Sequence, residues 1–364
     1  MQRSRLFLFI LLIVIFMPIL GGVSRQTFHT VTWEAATPRD VVKDSTYLGR
    51  WFTTTMNGNP TMTTINQGAE IRTIVKGTKN IVANFWVDTN STYQPIIAYS
   101  IDGEKLQRKT IGNSAGSVAT VILATELSAG QHTIKIVVAG IKETDPVWDK
   151  GAGLHFQGFS LDDRALIHPW VSDNKKGLFI GDSITAGINV LGSGAIPSVN
   201  AGEQNCVHVC CDLLKVDPWQ VGFGGTGIMM GGSGGVPQAS KSYMYRMNEI
   251  SLDEPDPDFI VINEGTNDLS QPPKEFQANY QLFINQIKQQ YPNIPVFIMR
   301  PFGGYQATAI QSVASATTGT YYVDTSNWGV TYSDGLHPDI NGSNIGGAKL
   351  ADFITEKLGI SFFS

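Results

Sequence analysis
The sequence predicts two folded parts in series, an all-β sandwich followed by a parallel-sheet α/β domain. Three observations predict this. Residues 69–75, Ala-Glu-Ile-Arg-Thr-Ile-Val, approach the apolar–polar alternation of a strand with one buried face. Short runs rich in Val, Ile, Thr and aromatics continue to residue 166, split by turn pairs such as Asp102-Gly103 and Ala129-Gly130. Beyond residue 176, apolar runs alternate with helical stretches, the grammar of strands crossing over through helices.

The β part spans 28–166. Its strands are expected at 69–75, 81–87, 96–101, 118–124, 132–138 and 154–161, with no long helical period between them. Short strands with turns between them fit a jelly-roll sandwich. Residues 171–176, Val-Ser-Asp-Asn-Lys-Lys, form a polar joint. The α/β part spans 172–364. Strands are expected at 177–180, 219–222, 258–263, 295–300 and 321–323, and helices at 203–214, 273–291 and 341–358. In such a sheet functional loops gather beyond the carboxyl ends of the strands.

Composition narrows the function. At 364 residues the chain exceeds one ordinary core, and 42% hydrophobic with 16% charged residues describes a globular protein. A net charge of −5 without a basic block excludes nucleic acid as an expected partner. Residues 1–24 read as a secretory signal. Gln2-Arg3-Ser4-Arg5 is basic, 6–20 is almost wholly apolar, and Gly21-Gly22-Val23-Ser24 is small enough for cleavage. A secreted protein is expected, with no stable membrane association after cleavage. The alternative, an uncleaved anchor, usually needs about 20 apolar residues. The three cysteines, Cys206, Cys210 and Cys211, sit too close on one helix to bridge one another. His208 stands two positions from Cys206, on another side of that helix, so no metal or cofactor is expected. His208 and Asp212, four apart, read as a helix-surface pair.

Two familiar motifs are decoys. Residues 222–227 match G-x-G-x-x-G after a strand, but the following Ile-Met-Met-Gly-Gly-Ser-Gly-Gly is a poor helix for a dinucleotide site. G-x-S-x-G occurs at 112–116, between two strands, and at 231–235, in a glycine loop. Neither has the strand–turn–helix setting of a nucleophile elbow.

A different serine has the right setting. Ser183 ends an apolar strand in Leu-Phe-Ile-Gly-Asp-Ser, residues 178–183. A serine hydroxyl needs a base to become a nucleophile. Of six histidines, His337 has suitable company in Asp334-Gly335-Leu336-His337-Pro338. Asp334 can orient one ring nitrogen and leave the other for Ser183. His29, His132, His155 and His168 read as terminal, strand or joint residues. Acyl transfer also needs donors to an oxyanion. The Gly224-Gly225 backbone and the Asn267 side chain both follow strands of the same sheet.

In this order the residues resemble the SGNH, or GDSL-like, hydrolase family. Gly181-Asp182-Ser183-Ile184-Thr185 is similar to its first block, residues 222–226 to the second, Gly265-Thr266-Asn267-Asp268 to the third, and Asp334 with His337 to the last. The resemblance implies a flavodoxin-like three-layer α/β/α fold and metal-independent ester hydrolysis. It implies Ser183 as nucleophile, His337 as base, Asp334 as orienting acid, and Ser183, Gly225 (or its neighbour Gly224) and Asn267 around the oxyanion. Gln220 and Glu264 depart from the family pattern. The preceding sandwich, with residues 145–162 at its end, resembles carbohydrate esterase family two. That resemblance implies removal of acetyl groups from acylated carbohydrate.

Two rival functions remain. A lipase or thioesterase on longer chains would need an apolar channel, for which Ile228-Met229-Met230 is the candidate lining, although packing is the favoured reading. A carbohydrate-binding surface protein with an inert site is the other. Trp148, Trp170, Trp219 and Trp328 are candidate sugar contacts, but core and interface are commoner places for tryptophan.

Overall fold
The computed structural model describes residues 40–363 apart from Asn113 and Ala195. The expected signal at 1–24 and the first residues of the β part lie outside that range. The sandwich strands are β1 (Thr46–Leu48), β2 (Phe52–Met56), β3 (Asn59–Thr64), β4 (Glu70–Lys76), β5 (Ile81–Val87), β6 (Ile96–Ile101), β7 (Gln107–Thr110), β8 (Ser117–Ala124), β9 (Gln131–Gly140), β10 (Leu154–Leu161) and β11 (Leu166–Pro169), with a short α1 (Val147–Lys150) before β10. One antiparallel sheet runs β1-β4-β9-β6-β7, with β11 also on β4. The other runs β2-β3-β10-β5-β8. β5 shows why they pack: Ile81, Ala83, Phe85 and Val87 point inward while Val82, Asn84 and Trp86 are half-exposed. The inward set meets Ile97, Ile134, Ile136 and Phe156 in one apolar core.

The second half holds β12 (Lys176–Gly181), α2 (Ser183–Ala186), α3 (Cys206–Leu214), β13 (Asp217–Gly222), α4 (Ala239–Ser242), a small hairpin of β14 (Tyr245–Met247) and β15 (Ile250–Ser251), β16 (Phe259–Asn263), α5 (Pro273–Gln290), β17 (Val296–Met299), α6 (Ala307–Ala316), β18 (Thr320–Val323) and α7 (Ile340–Leu358). Its sheet is parallel in the order β13-β12-β16-β17-β18. Numbered within the sheet this is the doubly wound order 2-1-3-4-5. Central strands such as β16 are buried along their whole length, as a sheet covered on both faces requires. α5 and α6 pack on one face through Phe276, Phe283, Ile284, Ile310 and Val313. α3 and α7 pack on the other through Val207, Cys210, Leu350 and Ile354. They approach closely because a Cβ at Gly347 would lie 2.5 Å from the Val209 Cβ. The three cysteines are buried and unbridged.

Several details differ from the sequence reading. α3 starts at Cys206 rather than 203, because the Asn205 side chain caps it by accepting from the His208 N–H at 2.9 Å. Glu203 is instead buried, paired with Arg108 of the sandwich. α6 was not expected. Nor were the short strands β1, β2, β3, β7 and β11. The halves share one core, in which Leu48, Ile65, Val147 and Trp148 join Leu178, Trp219 and Ile260. Among the described residues no helix is long and apolar enough to cross a membrane.

Candidate active site
β12 stops at Gly181, where any Cβ would collide with the Thr185 hydroxyl and lie 2.7 Å from the Asn263 carbonyl oxygen. Asp182 then caps α2, its carboxylate accepting from the Ile184 N–H at 2.9 Å. Ser183 is the first helical residue, at the carboxyl edge of the sheet and 8% exposed. His337 Nε2 lies 2.8 Å from Ser183 Oγ. His337 Nδ1 lies 2.8 Å from Asp334 Oδ2. With the ring proton on Nδ1, Nε2 is left to accept the serine proton.

The Asp334–His337 turn is self-bracing. Asp334 Oδ1 accepts from the N–H groups of Leu336 (3.0 Å) and His337 (2.8 Å), while Oδ2 also accepts from Asn189 Nδ2 at 2.9 Å. Burial pushes the Asp334 carboxyl up, but these donors and the imidazole outweigh it and hold it well below the usual carboxylate range. It stays ionised beside His337.

The second block forms a loop after β13. Gly225 has φ +76°, which favours glycine. Among the described residues, the loop and turn hydrogen bonds use none of the backbone N–H groups of Ser183, Gly224 and Gly225. Asn267 donates one amide hydrogen to the Thr226 carbonyl at 2.7 Å. An amide has two such hydrogens, so one remains to donate. Gly225 and Asn267 are thus tied together through Thr226.

Three acids lie under this surface. Asp182, Glu264 and Asp268 are each 1% exposed or less. Burial raises Asp182 to about 6 despite the Ile184 N–H. Burial, and then the neighbouring Asp182 and Asp268, push Glu264 well above the ordinary range. Asp268 accepts from the N–H groups of Ile228 and Met229, both at 2.8 Å, and fixes the far end of the glycine loop. The two departures from the family pattern therefore have partners. Glu264 meets Thr226 Oγ1 at 3.4 Å. Gln220 donates to the Gln67 carbonyl of the sandwich at 2.8 Å and accepts from Asn205 at 2.9 Å.

Other expected features fall as follows. Ile228 is buried and Met229 packs on the core, while Met230 is 38% exposed. No helix follows residues 222–227; the next regular piece is the 3-10 turn Ser233–Gly235. His208 corrects an expectation. It does not form a surface pair with Asp212 but is buried, with Nε2 3.2 Å from Glu70 of the sandwich. Sequence reading had no view of the other half covering α3. It also missed Asn189, whose partner Asp334 is 145 residues away. Among the described residues, no group of three His, Cys, Asp or Glu side chains could hold a metal ion.

Residues 179–344 match the model of the GDSL-like lipase/acylhydrolase family. Over these residues the chain is similar to that family, and the match fits a carboxylic ester hydrolase. Solved structures of similar fold include a family two carbohydrate esterase from Clostridium thermocellum, in complex with cellohexaose (21% identity, TM-score 0.70, 86% of this chain and 99% of that one). A family two carbohydrate esterase from Cellvibrio japonicus has 16% identity and a TM-score of 0.71 over 88% of this chain and 96% of that one. The acetyl xylan esterase Est2A from Butyrivibrio proteoclasticus has 18% identity and a TM-score of 0.69 over 90% and 99%. These likenesses extend across both halves. No curated protein sequence matches the chain.

Proposed function
We propose that the protein is an exported serine esterase that removes acetyl or other short acyl groups from carbohydrate. The observation that carries this is the unbroken relay Asp334–His337–Ser183, with both links at 2.8 Å. In the reading, Ser183 Oγ attacks the ester carbonyl as His337 Nε2 takes its proton. The carbonyl electrons move onto oxygen, stabilised by the N–H groups of Ser183 and Gly225 and by the Asn267 amide. Collapse expels the sugar alkoxide, which takes the proton from His337 and leaves an acyl-enzyme. Water then repeats the sequence, restoring Ser183 and releasing the acid.

The short acyl preference is supported by how little apolar space the loop offers: Ile228 and Met229 are engaged in packing and in hydrogen bonds to Asp268. The carbohydrate is supported by the structural relatives, one crystallised with cellohexaose and another named an acetyl xylan esterase. Export is supported by the sequence of residues 1–24. The test is a kcat/KM series on p-nitrophenyl esters from acetate to palmitate, followed by acetate release from acetylated xylan. A maximum at acetate with acetate release fits the proposal. A maximum at long chains overturns it in favour of a lipase.

A further inference from the structure
The loop carrying Gly225 is held from the sandwich side. The connection from β9 to β10 runs along it and is anchored at Asp145, which accepts from the Thr92 N–H (2.7 Å) and hydroxyl (2.6 Å). Trp148 sets its ring edge-on to Phe223, centroids 5.9 Å apart. Gly234 has φ +64°, and a Cβ there would lie 2.6 Å from the Glu143 carbonyl oxygen. Ser233 N–H donates to the Gly224 carbonyl at 2.7 Å, passing this contact to the second block. Between them sits the Glu143 side chain. Its Oε2 is buried without a hydrogen-bond partner and occupies the space a Cβ on Gly224 would need. It borders a small cavity between the halves, with Gln67, Ile141, Ile188 and Phe223. An unpaired buried carboxylate oxygen is costly, so its place beside the oxyanion loop calls for a reason.

We propose that Glu143, supplied by the sandwich, is a positioning residue of the esterase site that seats the Gly224–Gly225 segment so that its N–H groups face the oxyanion. The inference rests on the acyl-enzyme reading above. It makes the sandwich part of the catalytic machinery. Glu143 also stands within electrostatic reach of His337. The charged groups facing His337 are Asp334 on its own turn, Asp182 beneath Ser183, and Glu143. Those facing Glu143 are His337 and Lys142.

The test is a double-mutant cycle on p-nitrophenyl acetate hydrolysis, with thermal melts to confirm folding. Glu143→Ala should lower kcat by about tenfold to a hundredfold with KM unchanged, the cost of misplacing a catalytic group by about 1 Å. Gly224→Ala should be severe alone but add little on top of Glu143→Ala, because its methyl then fills the vacated space. Glu143→Gln keeps the shape and removes the charge. It should retain most of kcat and leave KM unchanged. Full activity in Glu143→Ala, or strictly additive effects of Gly224→Ala and Glu143→Ala, would overturn the inference. Activity independent of Ser183 would instead sink the esterase reading itself, so the two failures are distinct.

Discussion

At the scale of single residues, the proposed chemistry requires a charged carboxylate and a histidine held in one orientation. Asp334 accepts four hydrogen bonds, from the Asn189 amide, the Leu336 N–H, the His337 N–H and the imidazole. Each donor favours the ionised form, and together they overcome the burial that opposes it. Asn189 is the contributor from outside the turn. Its removal leaves the relay intact but loosens one side of it. Asn189→Ala should lower kcat about tenfold, the effect of losing a hydrogen bond to a charged group, without altering the chain-length preference. Steady-state kinetics on two esters checks both parts.

At the scale of elements, pattern and legibility go together. β5, β6 and β10 were read with their observed limits because β-branched and aromatic runs are bounded there by turn residues. β2 and β3 escaped: Thr, Asn and Pro dominate them, and their burial comes from neighbours rather than from composition. α6, Ala-Thr-Ala-Ile-Gln-Ser-Val-Ala-Ser-Ala, has too few large apolar residues to show a stripe. Ser183, Asn267, Asp334 and His337 were legible because each follows a strand of one sheet. Asn189 and Glu143 were not, since their partners are distant in sequence and neither lies in a motif. β10 also carries a titration. His155 is 1% exposed, bonded to Thr63 Oγ1 at 2.9 Å, and burial pushes it down to about 4. Its folded value lies below its unfolded one of 6.5, so the unfolded chain binds the extra proton in between. Stability should therefore be full above pH 6.5 and fall as pH drops toward 4, by up to about 3 kcal/mol. Denaturant unfolding across that range should show a shallower slope in His155→Gln; equal slopes would exclude His155 as the source.

At the scale of the whole molecule, the halves are bound through buried polar contacts as well as a shared core. Arg50 of the sandwich is 1% exposed and donates to the carbonyls of Ser242 (3.1 Å), Tyr243 (2.7 Å) and Tyr245 (2.9 Å), with Glu254 at 3.4 Å. Arg72 pairs with Glu70 at 2.6 Å and Asp217 at 2.9 Å, crossing the same boundary. Such a boundary gives one half little reason to unfold alone. Wild type should melt in a single transition. Arg50→Ala strands a buried carboxylate and three carbonyls, and should cost about 3–5 kcal/mol. Calorimetry showing two separate wild-type transitions would mean the halves are independent.

In the proposed mechanism Ser183, served by His337, carries out the chemistry. The most direct measurement is kcat for p-nitrophenyl acetate in wild type and in folded Ser183→Ala. A fall of about a thousandfold or more is expected, since a nucleophile cannot be replaced by its neighbours. A variant that keeps activity within tenfold of wild type would contradict it.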